Sequence, residues 1–189
     1  MGKSLYTDFV SSNDVAEAVA SAQELVIPGF GKTLVEIGIN RAYDSPNPSE
    51  QLKICDVIVE LVGNGVITAE EAMSAVKCHT ENLEDTVLDV PAAPKVLGHI
   101  IGVSVAKGVS GINALDEQAQ AVEGAEPRRG LVAATLQAVK ENLGEEKMVA
   151  IVKSSNMDLR ALLDRDPEIE SYLPGLEEFV ATVGLQAVL

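Results

Sequence analysis

Glu81-Asn82-Leu83-Glu84-Asp85-Thr86-Val87-Leu88-Asp89-Val90-Pro91-Ala92-Ala93-Pro94 runs directly into Lys95-Val96-Leu97-Gly98-His99-Ile100-Ile101-Gly102-Val103-Ser104-Val105-Ala106. The second half is apolar on nearly every side, which marks a helix surrounded by other helices. Pro91 and Pro94 each restrict their own φ and push the preceding residue, Val90 and Ala93, away from helical geometry. The helix is therefore predicted to start near Pro94, where a missing N–H costs nothing. Upstream of it the reading leaves Asp85 and Asp89 on a stiff, exposed acidic loop. Such a loop suits the capture of arginines, because little entropy remains to be lost on binding. A second role for Asp89 is as a cap on the helix that follows.

Outward from this stretch the pattern stays helical. Ser49 to Val62 is a second nearly all-apolar helix, opened by Asn47 with Pro48 in its first position and stopped by Gly63-Asn64-Gly65. Thr68-Ala69-Glu70-Glu71 has the spacing of a capping box, with a helix to about His79, and Asp14-Val15-Ala16-Glu17 repeats that spacing. Helices are also expected over Gly31–Tyr43, near Asn113–Val122 and from Leu131 to a stop at Gly144. Shorter ones carry Met148 to Val152 and Leu159 to Leu163. Pro167 and Pro174 open the last segments, with Leu176, Phe179, Val180 and Val183 facing inward. Gly98 and Gly102, four apart, predict a neighbouring helix at close range. Leu25-Val26-Ile27 and Val87-Leu88 are too short and too proline-bounded to be strands. Many short helices joined by tight turns imply an all-α fold of stacked antiparallel helical hairpins, an atypical HEAT-like α-solenoid. Glu123-Gly124-Ala125-Glu126-Pro127 is the candidate seam, giving a module over residues 1–125 and a helical extension over 126–189 packed on it.

Composition narrows the function. Of 189 residues, 29 are acidic and 14 basic, a net charge of −15. No excess of cations exists to displace counterions from a phosphate backbone, so nucleic acid is not the expected partner, nor is an anionic membrane. A protein with basic patches is favoured. The longest charge-free apolar run, Val96 to Ala106, falls short of the ~20 residues that span a bilayer. Two cysteines, Cys55 and Cys78, make no disulfide framework, which places the chain in a reducing compartment. No signal peptide or myristoylation pattern opens the chain.

Catalytic chemistry finds little support. Cys78-His79 are adjacent and cannot both reach one metal from a helix, and no Cys-x-x-Cys or His-x-x-x-His occurs. His99, with no carboxylate at helical spacing, reads as a satisfied core histidine. Buried structural roles fit Cys55 and Cys78 better than a nucleophile paired with His99. Gly29-Phe30-Gly31-Lys32-Thr33 lacks the spacing and the preceding strand of a phosphate loop. Asp164-Arg165-Asp166 reads as a solvated helix end. Neither an enzyme nor a cofactor is expected.

Ser11-Ser12-Asn13-Asp14-Val15-Ala16-Glu17-Ala18-Val19, then Gln23-Glu24-Leu25 and Pro28, resembles the opening of the MA3 domain, an all-helical, HEAT-like module of initiation factor 4 gamma and of programmed cell death protein 4. Gly65-Val66-Ile67-Thr68 looks like the family's turn between the second and third hairpins. Leu88-Asp89-Val90-Pro91 followed by Ala93-Pro94 looks like its most distinctive loop. Arg128-Arg129-Gly130-Leu131 through Tyr172-Leu173-Pro174 is more loosely similar to the helical continuation in initiation factor 4 gamma. No second opening and no second Leu-Asp-x-Pro loop follows, which tilts the resemblance away from the tandem modules of programmed cell death protein 4. The resemblance implies a cytoplasmic, monomeric scaffold module of translation initiation that binds a DEAD-box RNA helicase, initiation factor 4A. In the family, acidic residues before the proline-started helix pair with helicase arginines. Asp89 matches that position, Pro91 matches the adjoining proline, and Glu84 and Asp85 fall near the further acidic positions. The larger helicase-binding HEAT domain of such scaffolds is absent, so the resemblance implies a fragment beginning at Met1-Gly2. An inhibitor of the same helicase would share this loop. An unrelated helical ligand carrier would instead need a large cavity beside Val96–Ala106.

Overall fold

The computed structural model describes residues 2–25, 27, 29–155, 157–163 and 175–188, and every regular element among them is helical. Twelve α-helices follow in order: α1 (Gly2–Ser12), α2 (Val15–Leu25), α3 (Gly31–Tyr43), α4 (Pro48–Gly63), α5 (Ala69–Thr80), α6 (Leu83–Asp89), α7 (Ala93–Ala106), α8 (Asn113–Gln120), α9 (Ala125–Leu143), α10 (Glu145–Ser154), α11 (Leu159–Leu163) and α12 (Leu176–Thr182). A 3₁₀ turn at Gln186–Val188 follows α12. The expected helix end at Asp164-Arg165-Asp166 and the helix starts at Pro167 and Pro174 lie outside the described residues.

Local capping chemistry explains several of the boundaries. The Asp14 carboxylate accepts from the Glu17 amide at 3.0 Å. Asn47 accepts from the Ser49 amide at 3.0 Å, with Pro48 in the first turn. Thr68 and Glu71 cap each other's backbone reciprocally, and the bonds from Thr68 hold the Glu71 carboxyl below the usual carboxylate range. Gly65 and Gly144 turn the chain at φ of +70° and +87°, in the left-handed region that glycine enters without penalty.

Helix α1 was not foreseen, although Leu5, Tyr6 and Phe9 carry a helical period and all three are buried. Tyr6 reaches across to donate to the Leu34 carbonyl at 3.0 Å, and its ring fills the space a side chain on Gly38 would need. That single ring ties the first helix to α3.

Helix α7 is the axis of the molecule. Eleven of its fourteen residues are buried, with α4 on one side and α9 on the other. On the α4 side, the Cys55 thiol lies 3.7 Å from the Val96 carbonyl, His99 Nε2 is 2.8 Å from Asp56 Oδ1, and Lys107 pairs with Glu60. His99 thus has a carboxylate after all, supplied by a neighbouring helix and invisible to helical spacing. On the α9 side the two glycines allow backbone contact. A Cβ on Gly98 would fall 2.6 Å from Ala134 Cβ, and one on Gly102 would fall 2.4 Å from the Thr135 carbonyl oxygen. Helix α9 begins at Ala125, inside the expected seam, and runs 19 residues without a break. Its Arg128 and Arg129 are buried, donating to the main-chain carbonyls of Val122, Glu123, Leu162 and Leu163, while Arg129 also stacks on Phe179. These two buried cations hold α11 and α12 to α9.

Candidate functional site

The corner between α6 and α7 carries every predicted contact residue. The expected stiff loop is here a helix: Leu83–Asp89 forms two turns, so Glu84, Asp85 and Asp89 are helical residues. Leu83 inserts into the core and Val87, one turn on, is half-buried, which gives this short segment the apolar stripe that a loop would lack. Thr86 adds a side-chain bond to the Asn82 carbonyl at 2.7 Å, and the Val90 amide closes the helix on Thr86 at 2.8 Å. The prolines act one step later than the loop reading supposed. Val90 is held non-helical at φ −127°, ψ 81°, as its following proline requires, and that ends α6. Ala93, also before a proline, instead becomes the first residue of α7, with Ala92 as a cap that has no side-chain bond. Asp89 therefore closes α6 and does not cap α7.

Helical geometry sorts the corner. Residues 84, 85, 88 and 89 share one face, and Glu84, Asp85, Leu88, Asp89 and Pro91 are all exposed. No hydrogen bond or ion pair ties the three carboxylates to another described residue. Asp85 and Asp89 are spaced i, i+4, so like charges sit one turn apart. Asp89 also lies at the helix C-terminus, where the aligned peptide dipoles disfavour negative charge. Local preferences are violated twice within seven residues, and among the described residues no cation pairs with these carboxylates. A guanidinium or ammonium group placed over this face would relieve both.

Behind the corner, Val87, Leu88, Pro91, Pro94, Pro127 and Gly130 border a groove of about 490 Å³, with Lys95 and Glu126 at its edge. Leu88 is 80 % exposed, the most exposed of the large apolar side chains among the described residues. In the sequence Leu88 belongs to the Leu88-Asp89-Val90-Pro91 stretch, but neither it nor the α9 wall is among the predicted contact residues. Leu88 had a signal, an apolar residue on the acidic face of the 3.6-residue period; Pro127 and Gly130 had none, because their approach to Pro94 is set by the α7–α9 packing.

The other reactive groups are built into the structure. Burial pushes the Cys55 thiol and the Tyr6 phenol up, so both stay protonated. His79 packs edge-on against Tyr43, and burial lowers its pKa. Among the described residues no group of three or more His, Cys, Asp or Glu side chains could hold a metal, and no helix is long and apolar enough to cross a membrane. The apolar face of α7 is filled by protein: Val96, Leu97, Ile100 and Ile101 are fully buried.

The MA3 domain matches residues 3–109, which takes in α1 through α7 and hence the acidic corner. The chain is 27% identical over 182 residues to eukaryotic translation initiation factor 4G of Cucumis melo, a match covering 92% of this chain and 9% of the relative. It is 24% identical over 165 residues to the Arabidopsis thaliana eukaryotic translation initiation factor 4G, covering 79% of this chain and 9% of the relative. The MA3 domain-containing translation regulatory factor 1 of Arabidopsis thaliana is 27% identical over 101 residues, or 53% of this chain and 14% of that protein. The chain thus spans only a small part of the length of the relatives it matches. The family match takes in more than half of the chain and the helices that build its glycine-bearing axis, and the all-α fold agrees with it: the chain belongs to the MA3 domain family.

Proposed function

We propose that this chain is a scaffold module of translation initiation that binds the DEAD-box RNA helicase initiation factor 4A through the acidic face of α6 and the adjoining Pro91. The observation that carries the reading is the placement of Asp85 and Asp89, like charges one helical turn apart with Asp89 at the C-terminal end of the helix dipole, both exposed and neither paired with another described residue. The likeness to the two 4G factors supports the translation context. In this reading Asp89 accepts from a helicase arginine, Glu84 and Asp85 supply further acceptors, and Pro91 keeps the corner in one shape. Residues 126–189 act as an extension of the module spanning 1–125, and the whole works as a monomer in the cytoplasm without catalysis of its own.

The test is a calorimetric titration of purified helicase, with and without an ATP analogue, against wild type and Asp89→Ala. A charge-assisted bond lost from the interface weakens binding by about 1.5–3 kcal/mol. Equal losses in Asp89→Ala and in Glu146→Ala, an exposed acid on α10, would show that bulk charge does the binding. For the division of the chain, hydrogen exchange of residues 14–107 is the measure. Deleting 128–189 lowers protection there, whereas unchanged protection would make the two parts independent.

A second reading, restraint of the same helicase, draws on the likeness to the MA3 domain-containing translation regulatory factor 1. The two readings share a surface and differ in the sign of the effect on duplex unwinding, which an unwinding assay reads directly.

A further inference from the structure

Charge alone makes a poor recognition surface for a chain this acidic, since any basic protein satisfies it. The groove beside the acidic corner supplies what charge cannot. Its walls come from two distant stretches, the α6–α7 corner and the first turns of α9, and the second wall lies beyond residue 109, where the family match ends. Close packing brings the walls together: a Cβ on Gly130 would sit 3.2 Å from Pro94 Cβ, and one on Gly124 would sit 3.3 Å from Glu84 Cδ. Pro91, Pro94 and Pro127 have no rotamers to lose, so the groove needs little ordering to accept a ligand. Leu88 stands over it, 80 % exposed, Glu126 and Lys95 are the charged residues of its lining, and Glu84, Asp85 and Asp89 lie exposed on the same short helix as Leu88.

We infer that this composite groove receives an apolar side chain carried on a basic segment of the partner, with Leu88 as the anchor contact and Glu126 as a second acidic wall. The inference rests on the helicase reading above and adds to it the chemistry of the contacted segment and the participation of α9. Charge complementarity selects this occupant. A second copy of the chain would bring another −15 against the same rim. The apolar anchor sets the register in which the flanking cations meet Glu84, Asp85 and Asp89, and that converts a nonspecific attraction into a specific one.

The experiment titrates initiation factor 4A against the full chain and four variants, Leu88→Ala, Glu126→Lys, Asp89→Asn and the control Glu146→Lys, at low and high salt. Leu88→Ala weakens binding about tenfold or more, as loss of a buried leucine contact does. That loss is the same at both salt concentrations, because it is not electrostatic. Glu126→Lys weakens binding about fivefold or more at low salt, and the loss shrinks as salt rises. Glu146→Lys binds as wild type does. The urea midpoint of Leu88→Ala stays at the wild-type value, which separates an interface role from a structural one. If Asp89→Asn loses affinity while either Leu88→Ala or Glu126→Lys binds as wild type does, the composite groove is overturned and the helicase reading stands. If the wild-type chain fails to bind the helicase, both fall together. Sedimentation showing a dimer that Leu88→Ala dissolves would give the groove to a second copy and overturn the inference.

Discussion

The α7–α9 seam and the α6–α7 corner share α7 and solve opposite problems. The seam is dry and contains small residues: Gly98 and Gly102 meet Ala134, Thr135 and Ala138 at distances that leave no room for a methyl group. The corner is wet, acidic and topped by an exposed leucine. In the seam each local choice serves the fold, even at the cost of glycine in mid-helix. At the corner, local choices work against the fold, with Asp85 and Asp89 one turn apart and Asp89 at the helix C-terminus. The contrast separates residues that serve packing from exposed residues that serve no contact among the described residues, and it is the latter that the proposed function assigns to a partner.

The largest expected effect tests the seam side. Ile101→Ala lowers unfolding free energy by about 2–5 kcal/mol, as truncation of a fully buried side chain does, read by urea titration. An effect within error would mean that α7 is not the axis. Gly102→Ala follows. The new methyl group meets the Thr135 carbonyl, so overpacking of about 1–3 kcal/mol outweighs the roughly 1 kcal/mol gained in helix propensity. A stabilised variant would show the seam to be looser than its geometry.

The corner predicts the opposite sign. Asp89→Asn removes the unfavourable dipole and like-charge terms, so the fold gains about 0.3–0.5 kcal/mol while helicase binding falls. A variant that loses both stability and binding would place Asp89 among the structural residues and erase the contrast. The smallest effect concerns His79, packed on Tyr43 away from both regions. Burial lowers its folded pKa below the ordinary 6.5, so the unfolded chain takes up the proton first. Stability is complete above that ordinary value and declines as pH falls through and below it. His79→Gln flattens this acid-side slope between about pH 7 and 5, measured as the urea midpoint against pH. An unchanged slope would assign it to the carboxylates.

Legibility followed distance along the chain. Thr68 and Glu71, Asn47 and Pro48, Gly65 and Gly144 are signals confined to three or four neighbouring residues, and each boundary they announce is where the structure has it. The paired glycines announced close packing without naming the partner helix. Helix α6 is not legible as a helix because the prolines near its end suggest a loop, although Pro91 restricts only Val90 and leaves Leu83–Asp89 free to be helical. Its stripe of Leu83 and Val87 becomes helical only against the core it packs on.

By itself, then, the sequence determined the helical class, most of the caps and stops, the two most apolar helices, the family and the acidic stretch. Each of those is written in periodicity, composition or a motif a few residues long. Tertiary structure alone decided that His99 meets Asp56, that Arg128 and Arg129 are buried on carbonyls of Leu162 and Leu163, and that Pro127 and Gly130 close a groove beside Leu88. Those contacts join residues about 35 to 45 positions apart, a span over which no local propensity acts. Only the packing of helices against one another, α7 between α4 and α9 and α11 on α9, fixes which side chains end up facing each other.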